Sequence, residues 1–293
     1  MKKSRFTESQ ILAVLRQAEV GSLPPTFKDA QMSSQPDLKM ISHQIEIWAS
    51  GIDFEKRFWE TWMSTSGSLW PKEFEARTNP DAPLAEIIEN ACSSMDRKRL
   101  SILDVGAGPL TSIGYKSRSF EVDIIAVDPL AGFYRTLYNN HEVCPPISTS
   151  FAIAEDLNAF FAPEMFDVVH CRNALDHSFD PLRGIQQMID VTAVGGVVIL
   201  NHQNDEAENE KYEGFHQFNF NVHGGSFFIW NPDVEINVSE FLADGAVRIE
   251  CEKWDTGHNV WIWKQGHTKI FGNGDFRERL AKFQEGVFSF LTK

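Results

Sequence analysis

Between residues 84 and 203 the chain switches repeatedly between helical patterns and short apolar runs, and this alternation constrains the fold more than any other feature. "PLAEIIENAC" spaces its apolar groups as one face of a helix. "LSILDV" reads as a buried strand that ends in a glycine loop, and "EVDIIAVD" as a second strand. "ISTSFAIAED" contains a third, "FDVVHC" is a fourth, and "GGVVILNH" is a fifth after a Gly-Gly turn. "PLRGIQQMIDVT" is a helix between the last two. Continuous apolar strands separated by helices require a parallel sheet covered on both faces, so the class is α/β. Near the C-terminus "NVSEFLAD" reads as a helix, and "AVRIECEKW" and "NVWIWKQ" as two strands joined by "DTGH". They suggest an antiparallel pair closing an otherwise parallel sheet.

Three units are expected: 1–37, an N-terminal helix and linker; 38–83, an aromatic-rich helical cap; and 84–293, the α/β domain. In "FTESQILAVLRQAEVG", Thr7 and Gln10 form a capping box, Ile11, Leu12, Leu15 and Ala18 share one side, and Gly21 ends the helix. Residues 2–21 resemble the first helix of the OrfA subunit of insertion-sequence transposases. The resemblance stops at Gly21, where a Pro/Ser-rich linker follows instead of a recognition helix. The chain carries 27 Lys+Arg against 41 Asp+Glu, a net charge of −14. That balance repels nucleic acid, whose binding depends on basic side chains neutralising phosphates. A DNA-binding accessory role is therefore disfavoured and no nucleic-acid partner is expected. Cys92, Cys144, Cys171 and Cys251 are scattered, without a C-x-x-C pair, as expected for reduced thiols. No apolar run reaches the roughly 20 residues that cross a bilayer. With no signal peptide recognised, a cytoplasmic protein without a membrane partner is expected.

In the cap, Phe54, Phe58, Trp59 and Trp62 fall at helical spacing. They either pack the cap on the main domain or, in part, wall a substrate pocket. After the fifth strand comes an insertion of about thirty residues, "NHQNDEAENEKYEGFHQFNFNVHGGSFFIWNP". Its "FNFNVH" alternates Phe218, Phe220 and Val222 with Asn219, Asn221 and His223, either a solvated hairpin or a polar face for a ligand rich in hydroxyls.

The chemistry sits at the strand ends. "DVGAG" closes the first strand, and Gly106 and Gly108 let the backbone approach a ligand. Thr111 occupies the place of the third glycine of a nicotinamide loop, which disfavours a dehydrogenase. The second strand ends at Asp128, twenty residues after Gly108, where an acid can accept from both ribose hydroxyls of an adenosine group or merely cap the next helix. The third leads into Glu155 and Asp156, an acid pair that could receive an adenine amine, and the fourth into "CRNALDHSFDP".

This ordered set resembles the class I S-adenosylmethionine-dependent methyltransferases across roughly residues 84–265: "ILDVGAGPL", "AVDPL", "AEDL", "FDVVHCRNALDH" and "GGVVIL" look like their successive motifs. The resemblance implies a Rossmann-like seven-stranded sheet with helices on both faces, here with the N-terminal helical cap and the insertion after the fifth strand. S-adenosyl-L-methionine is the cofactor it implies. Asp104, Gly106, Ala107 and Gly108 would hold its methionine part. Asp128, Pro129 and Leu130 would hold ribose and one adenine face, Glu155 and Asp156 the adenine amine, and Asn173 would lie near the sulfonium. "NALDHSFDP" is also similar to the E-x-x-E-H segment of ubiquinone-type O-methyltransferases, where acids and a His can bind magnesium. Asn173 replaces the first acid, and one carboxylate, one amide and one His are a thin set for a hard cation. No metal is therefore expected. The whole chain is similar to methyltransferases encoded with bacterial surface-polysaccharide genes. The expected function is O-methylation of a sugar, glycan or other small hydroxylated metabolite. A non-catalytic protein keeping the cofactor fold is the alternative. Two histidines end strands near the expected methyl group: His177 is the expected base, oriented by Asp176, and His202 is the alternative base or a substrate contact.

Overall fold

A computed structural model of the chain describes residues 38–243 and 245–268. The transposase-like stretch and its linker lie outside the described residues. The described residues begin with α1 (Leu38–Ser64) and α2 (Pro71–Thr78), followed by α3 (Glu86–Cys92). The main sheet contains β1 (Arg99–Val105), β2 (Glu121–Val127), β3 (Phe166–Arg172), β4 (Thr192–Gln203), β8 (Val247–Lys253) and β9 (Gly257–Lys264), with α4 (Ala131–Asn140) and α5 (Pro181–Val191) between its strands. Between β4 and β8 lie α6 (Glu206–Asn209), β5 (Asn219–His223), β6 (Ser226–Asn231), β7 (Val234–Asn237) and α7 (Val238–Phe241).

The large sheet has six strands in the order β2-β1-β3-β4-β9-β8. The first four are parallel, and β9 is antiparallel to both β4 and β8. The expected closing pair is thus present, with β9 inserted beside β4. The third predicted strand is not a strand. Ser150 makes one parallel bridge to Val127, and by Ala154 the chain has entered a 3₁₀ turn (Ala154–Ala159).

Strand alternation sorts the side chains between two cores. Leu103, Val105, Val169, Cys171, Val198 and Leu200 face α5, whose Ile185, Met188 and Ile189 are buried against them. Ile102, Val168, Val197 and Ile199 face α3 through Ile88 and Cys92. Helix α5 starts where it does because Pro181 fills its first turn and the Asp180 side chain accepts from Arg183 N at 3.1 Å. A third core joins α1 to α4: Ile45, Trp48, Ile52 and Trp62 pack with Tyr134, Leu137 and Phe179.

The insertion forms a separate three-stranded antiparallel sheet, β5-β6-β7. Phe218, Phe220, Val222, Phe227 and Ile229 extend the α5-side core. The polar side of β5 is neither solvated nor turned to a ligand. Asn219 is fully buried, accepting from Glu208 N at 2.8 Å and donating to Tyr212 Oη at 3.0 Å. Asn221 donates to Asp205 and accepts from Lys253 Nζ at 2.5 Å. His223, at the hairpin turn, is exposed.

Candidate functional site

Strand order reverses between β1 and β3, because the chain runs from β1 outward to β2 and then returns to the opposite side of β1. The carboxyl ends at such a switch point leave a crevice. Here it is a partly open cavity lined by Val105 and Gly106 after β1, Asp128 to Leu130 after β2, and Cys171, Ala174 and Leu175 after β3. Ala152 to Glu155, His177, Ser178 and Phe179 add a wall, and Trp48, Glu55, Tyr134 and Phe215 close it over.

The glycine loop needs its glycines. Gly106 and Gly108 have φ of +67° and +64°. A Cβ on Gly106 would lie 2.3 Å from that of Ala174, and one on Gly108 would lie 2.8 Å from the Trp59 ring. Gly108 N donates to Asp128 Oδ2 at 3.1 Å, and Leu130 N donates to Asp128 Oδ1 at 2.8 Å. Asp128 therefore both caps the turn before α4 and presents its carboxylate to the cavity. Burial pushes it up to about 7, against the pull of those two backbone donors.

Several residues expected in the site stand elsewhere. Asp104 points to the opposite face of the sheet from Val105, as strand alternation requires. Its oxygens are engaged by His170 Nδ1 at 2.7 Å and Thr111 Oγ1 at 2.5 Å. Asn173, in the left-handed region at φ 43°, accepts from Gln203 N at 3.0 Å, away from the cavity. Asp156 is fully buried toward Arg183, 3.7 Å away. Glu155 borders the cavity, but its Oε1 accepts from Phe179 N at 3.0 Å and Asp180 N at 3.3 Å at the start of α5. Burial pushes Glu155 up to about 8. His202 is not at the cavity. It is buried against the Phe220 ring at 4.7 Å, and neither ring nitrogen has a hydrogen-bond partner among the described residues. Burial lowers its pKa to about 3, so it is neutral at physiological pH.

His177 does border the cavity, with Nε2 3.3 Å from Asp176 Oδ2. The insertion supplies a partner that no local motif announces. His216 Nδ1 lies 2.8 Å from the same Asp176 oxygen, and the His177 and His216 rings meet edge-on at 4.5 Å. Asp176 is 1% exposed. Burial alone would raise its pKa, but His177 and His216 outweigh it and hold the carboxyl well below its ordinary range. His216 is correspondingly raised by Asp176 against the effect of its own burial. Next to His216, Phe215 stacks on Trp48 of α1, with centroids 4.9 Å apart and planes within 9°. Gly214 leaves no room for a Cβ beside Phe54 at 2.8 Å. The cap and the insertion thus meet over the cavity through Trp48, while Phe54, Phe58, Trp59 and Trp62 are not among its lining residues. Phe215 and His216 lie in "EGFHQF", which runs into the alternation at Phe218, but nothing in its spacing marks them as site residues.

Buried carboxylates on one wall and aromatic and aliphatic groups on the others suit an adenosyl cation: Asp128 for ribose hydroxyls, Leu130, Ile153 and Phe179 for a flat base. Residues 103–200, spanning the glycine loop through β4, match the family model described as a methyltransferase domain. Residues 103–200 are thus a methyltransferase domain. The chain is an S-adenosylmethionine-dependent methyltransferase, and S-adenosyl-L-methionine is its cofactor. Among solved structures, an S-adenosylmethionine-dependent methyltransferase from Clostridium acetobutylicum is similar at 13% identity over 68% of this chain and 97% of that one, with a TM-score of 0.40. A putative S-adenosyl-L-methionine-dependent methyltransferase from Methanococcus maripaludis is similar at 12% identity over 83% of this chain and 100% of that one, TM-score 0.41. One from Aquifex aeolicus shows 11% identity over 60% and 87% respectively, TM-score 0.36. No curated protein matches the sequence. Among the described residues no helix is long and apolar enough to cross a membrane.

Proposed function

We propose that the chain methylates a hydroxyl oxygen of a small polyhydroxylated acceptor, a sugar or glycan unit being the first class to test. The observation that carries this reading is the Asp176–His177–His216 group at the cavity wall beside the end of β3. The sequence likeness to methyltransferases of surface-polysaccharide gene clusters supports a sugar. S-adenosylmethionine supplies an electrophilic methyl group when bound. Gly106, Ala107 and Gly108 offer backbone to its methionine part, and Asp104 keeps that loop in place through Thr111. Asp128 accepts from the ribose, and Pro129 and Leu130 cover the base.

His177 would take the proton of the acceptor hydroxyl as its oxygen gains the methyl group that the bound cofactor would supply, with S-adenosylhomocysteine left behind. Asp176 holds that imidazole and stabilises the cation it becomes. The roof made by Trp48 and Phe215 excludes water, and positioning supplies much of the rate. The test is a mass-spectrometric screen of S-adenosylmethionine with nucleotide sugars and simple glycosides, read as a gain of one methyl on oxygen. With the acceptor found, His177→Ala lowers turnover about 10²–10⁴-fold, the usual range for a positioned base. S-adenosylhomocysteine affinity changes little. Full turnover across pH 6 to 8 in that variant removes His177 from the mechanism, and methyl gain on nitrogen replaces the hydroxyl acceptor.

A further inference from the structure

The Asp176 carboxylate serves two imidazoles drawn from distant parts of the chain. His177 follows it in the loop after β3, and His216 arrives from the insertion, forty residues later. One oxygen or nitrogen from each of the three lies within 4.8 Å of the others. The two contacts to Asp176 Oδ2 are 2.8 and 3.3 Å. Donors that sit about 2.0–2.2 Å from a zinc-type ion, at angles between square and tetrahedral, are themselves about 3–3.5 Å apart. The three side chains therefore already stand close to the spacing of a ligand set.

Two further observations point to a cation. Asp176 is 1% exposed, yet its Oδ1 has no hydrogen-bond partner among the described residues. Glu206, in the first turn of α6, keeps a buried Oε2 that is likewise without a partner, and its carboxyl interacts electrostatically with both Asp176 and His216. For Asp176, a charged oxygen left without a donor in a buried cluster is costly unless a positive charge joins it.

We infer that Asp176, His177 and His216 bind a divalent transition-metal ion of the zinc class, with Glu206 beside the ligands. This inference rests on the reading that the acceptor occupies the same end of the cavity. Two imidazoles and a carboxylate favour zinc, cobalt or nickel over magnesium, which takes oxygen ligands. The sequence expectation of no metal weighed Asn173, Asp176 and His177 against a hard cation. The structure removes Asn173, which bonds to Gln203 N, and adds His216. Three protein ligands leave coordination positions open, and His177 borders the cavity, so those positions adjoin the acceptor. An ion there would acidify a coordinated hydroxyl, the proton leaving to water instead of His177.

The test uses the full chain without an affinity tag. Co²⁺ is titrated and followed by its visible ligand-field absorption, and Zn²⁺ by calorimetry, in wild type, His216→Gln and His177→Gln. S-adenosylhomocysteine calorimetry on the same samples reports folding and the cofactor site. The expected result is one ion per chain, an absorption intensity typical of four- or five-coordinate cobalt, and at least tenfold weaker binding in each variant. His216→Gln should keep its S-adenosylhomocysteine affinity. Wild type that takes up no ion while binding S-adenosylhomocysteine overturns the metal site and leaves His177 as the base. Ion binding undiminished in both variants also overturns it, by placing the ion elsewhere. Failure of wild type to bind S-adenosylhomocysteine counts against the cofactor reading alone.

Discussion

At the scale of single residues, two buried carboxyls make opposite uses of a raised pKa. Asp128 is pushed up to about 7 by burial, and a bound ribose would supply hydroxyl donors that favour its charged form. S-adenosylhomocysteine affinity should therefore rise from pH 6 to pH 8 as Asp128 loses its proton. Asp128→Asn should flatten that rise and cost about 1.5–3 kcal/mol at pH 8, the worth of a hydrogen bond to a charged group. Calorimetry at several pH values decides it, and an equal rise in the variant would assign the proton to another group. Glu155 faces α5 instead, and burial holds it at about 8 against an ordinary value of 4.5. The folded state keeps that proton where the unfolded chain has lost it. Its stabilising contribution is full below pH 4.5 and is lost as pH rises through 8. Urea unfolding at pH 5, 6.5 and 8 should show that decline in wild type, with a smaller one in Glu155→Gln. Identical slopes would mean that Glu155 ionises without cost.

At the scale of elements, α1 and the insertion meet through one ring pair. Trp48 is 3% exposed and stacks on Phe215, so truncating it removes core packing and part of the cavity roof together. Trp48→Ala should cost about 3–5 kcal/mol in urea unfolding, as for other buried aromatic truncations. It should also weaken S-adenosylhomocysteine binding in conditions where the variant stays folded. Unchanged affinity would reduce α1 to a packing element with no part in the site. This junction also marks how far the sequence could be read. The strands, their parallel order and the glycine loop were legible because each is a local pattern of alternation ended by a turn. Asp128 was legible because it is fixed to the end of such a strand. Asp104 and His202 were misjudged because a strand end places two neighbours on opposite faces, and only the register shows which one meets the cavity. His216 and Phe215 were invisible as site residues because an insertion brings them there, and no spacing in the chain encodes that return. The expected third strand is reduced to a single bridge at Ser150 before the 3₁₀ turn begins at Ala154.

At the scale of the whole molecule, charge and architecture bear on the opening stretch. The chain is acidic overall at −14, and Asp176 holds a charged carboxylate beside the cavity. Such a field attracts a sulfonium and repels a phosphate backbone. The helix expected over residues 2–21 is followed in the sequence by the Pro/Ser-rich "SLPPTFKDAQMSSQPD", not by the helical pattern expected of an element that reads a major groove. A single amphipathic stretch of this length has little helical stability by itself. Among the described residues the cavity is lined from Trp48 onward. Deleting residues 1–21 should thus leave S-adenosylhomocysteine affinity within about twofold, less than 0.5 kcal/mol at a factor of ten per 1.4 kcal/mol. It should remove no specific DNA binding, because the intact chain should have none at physiological salt. Duplex-binding assays on both forms, run beside cofactor calorimetry, test the two halves separately. Sequence-specific binding by the intact chain that the deletion abolishes would give the opening stretch a function of its own. A large loss of cofactor affinity without DNA binding would instead tie it to the cap.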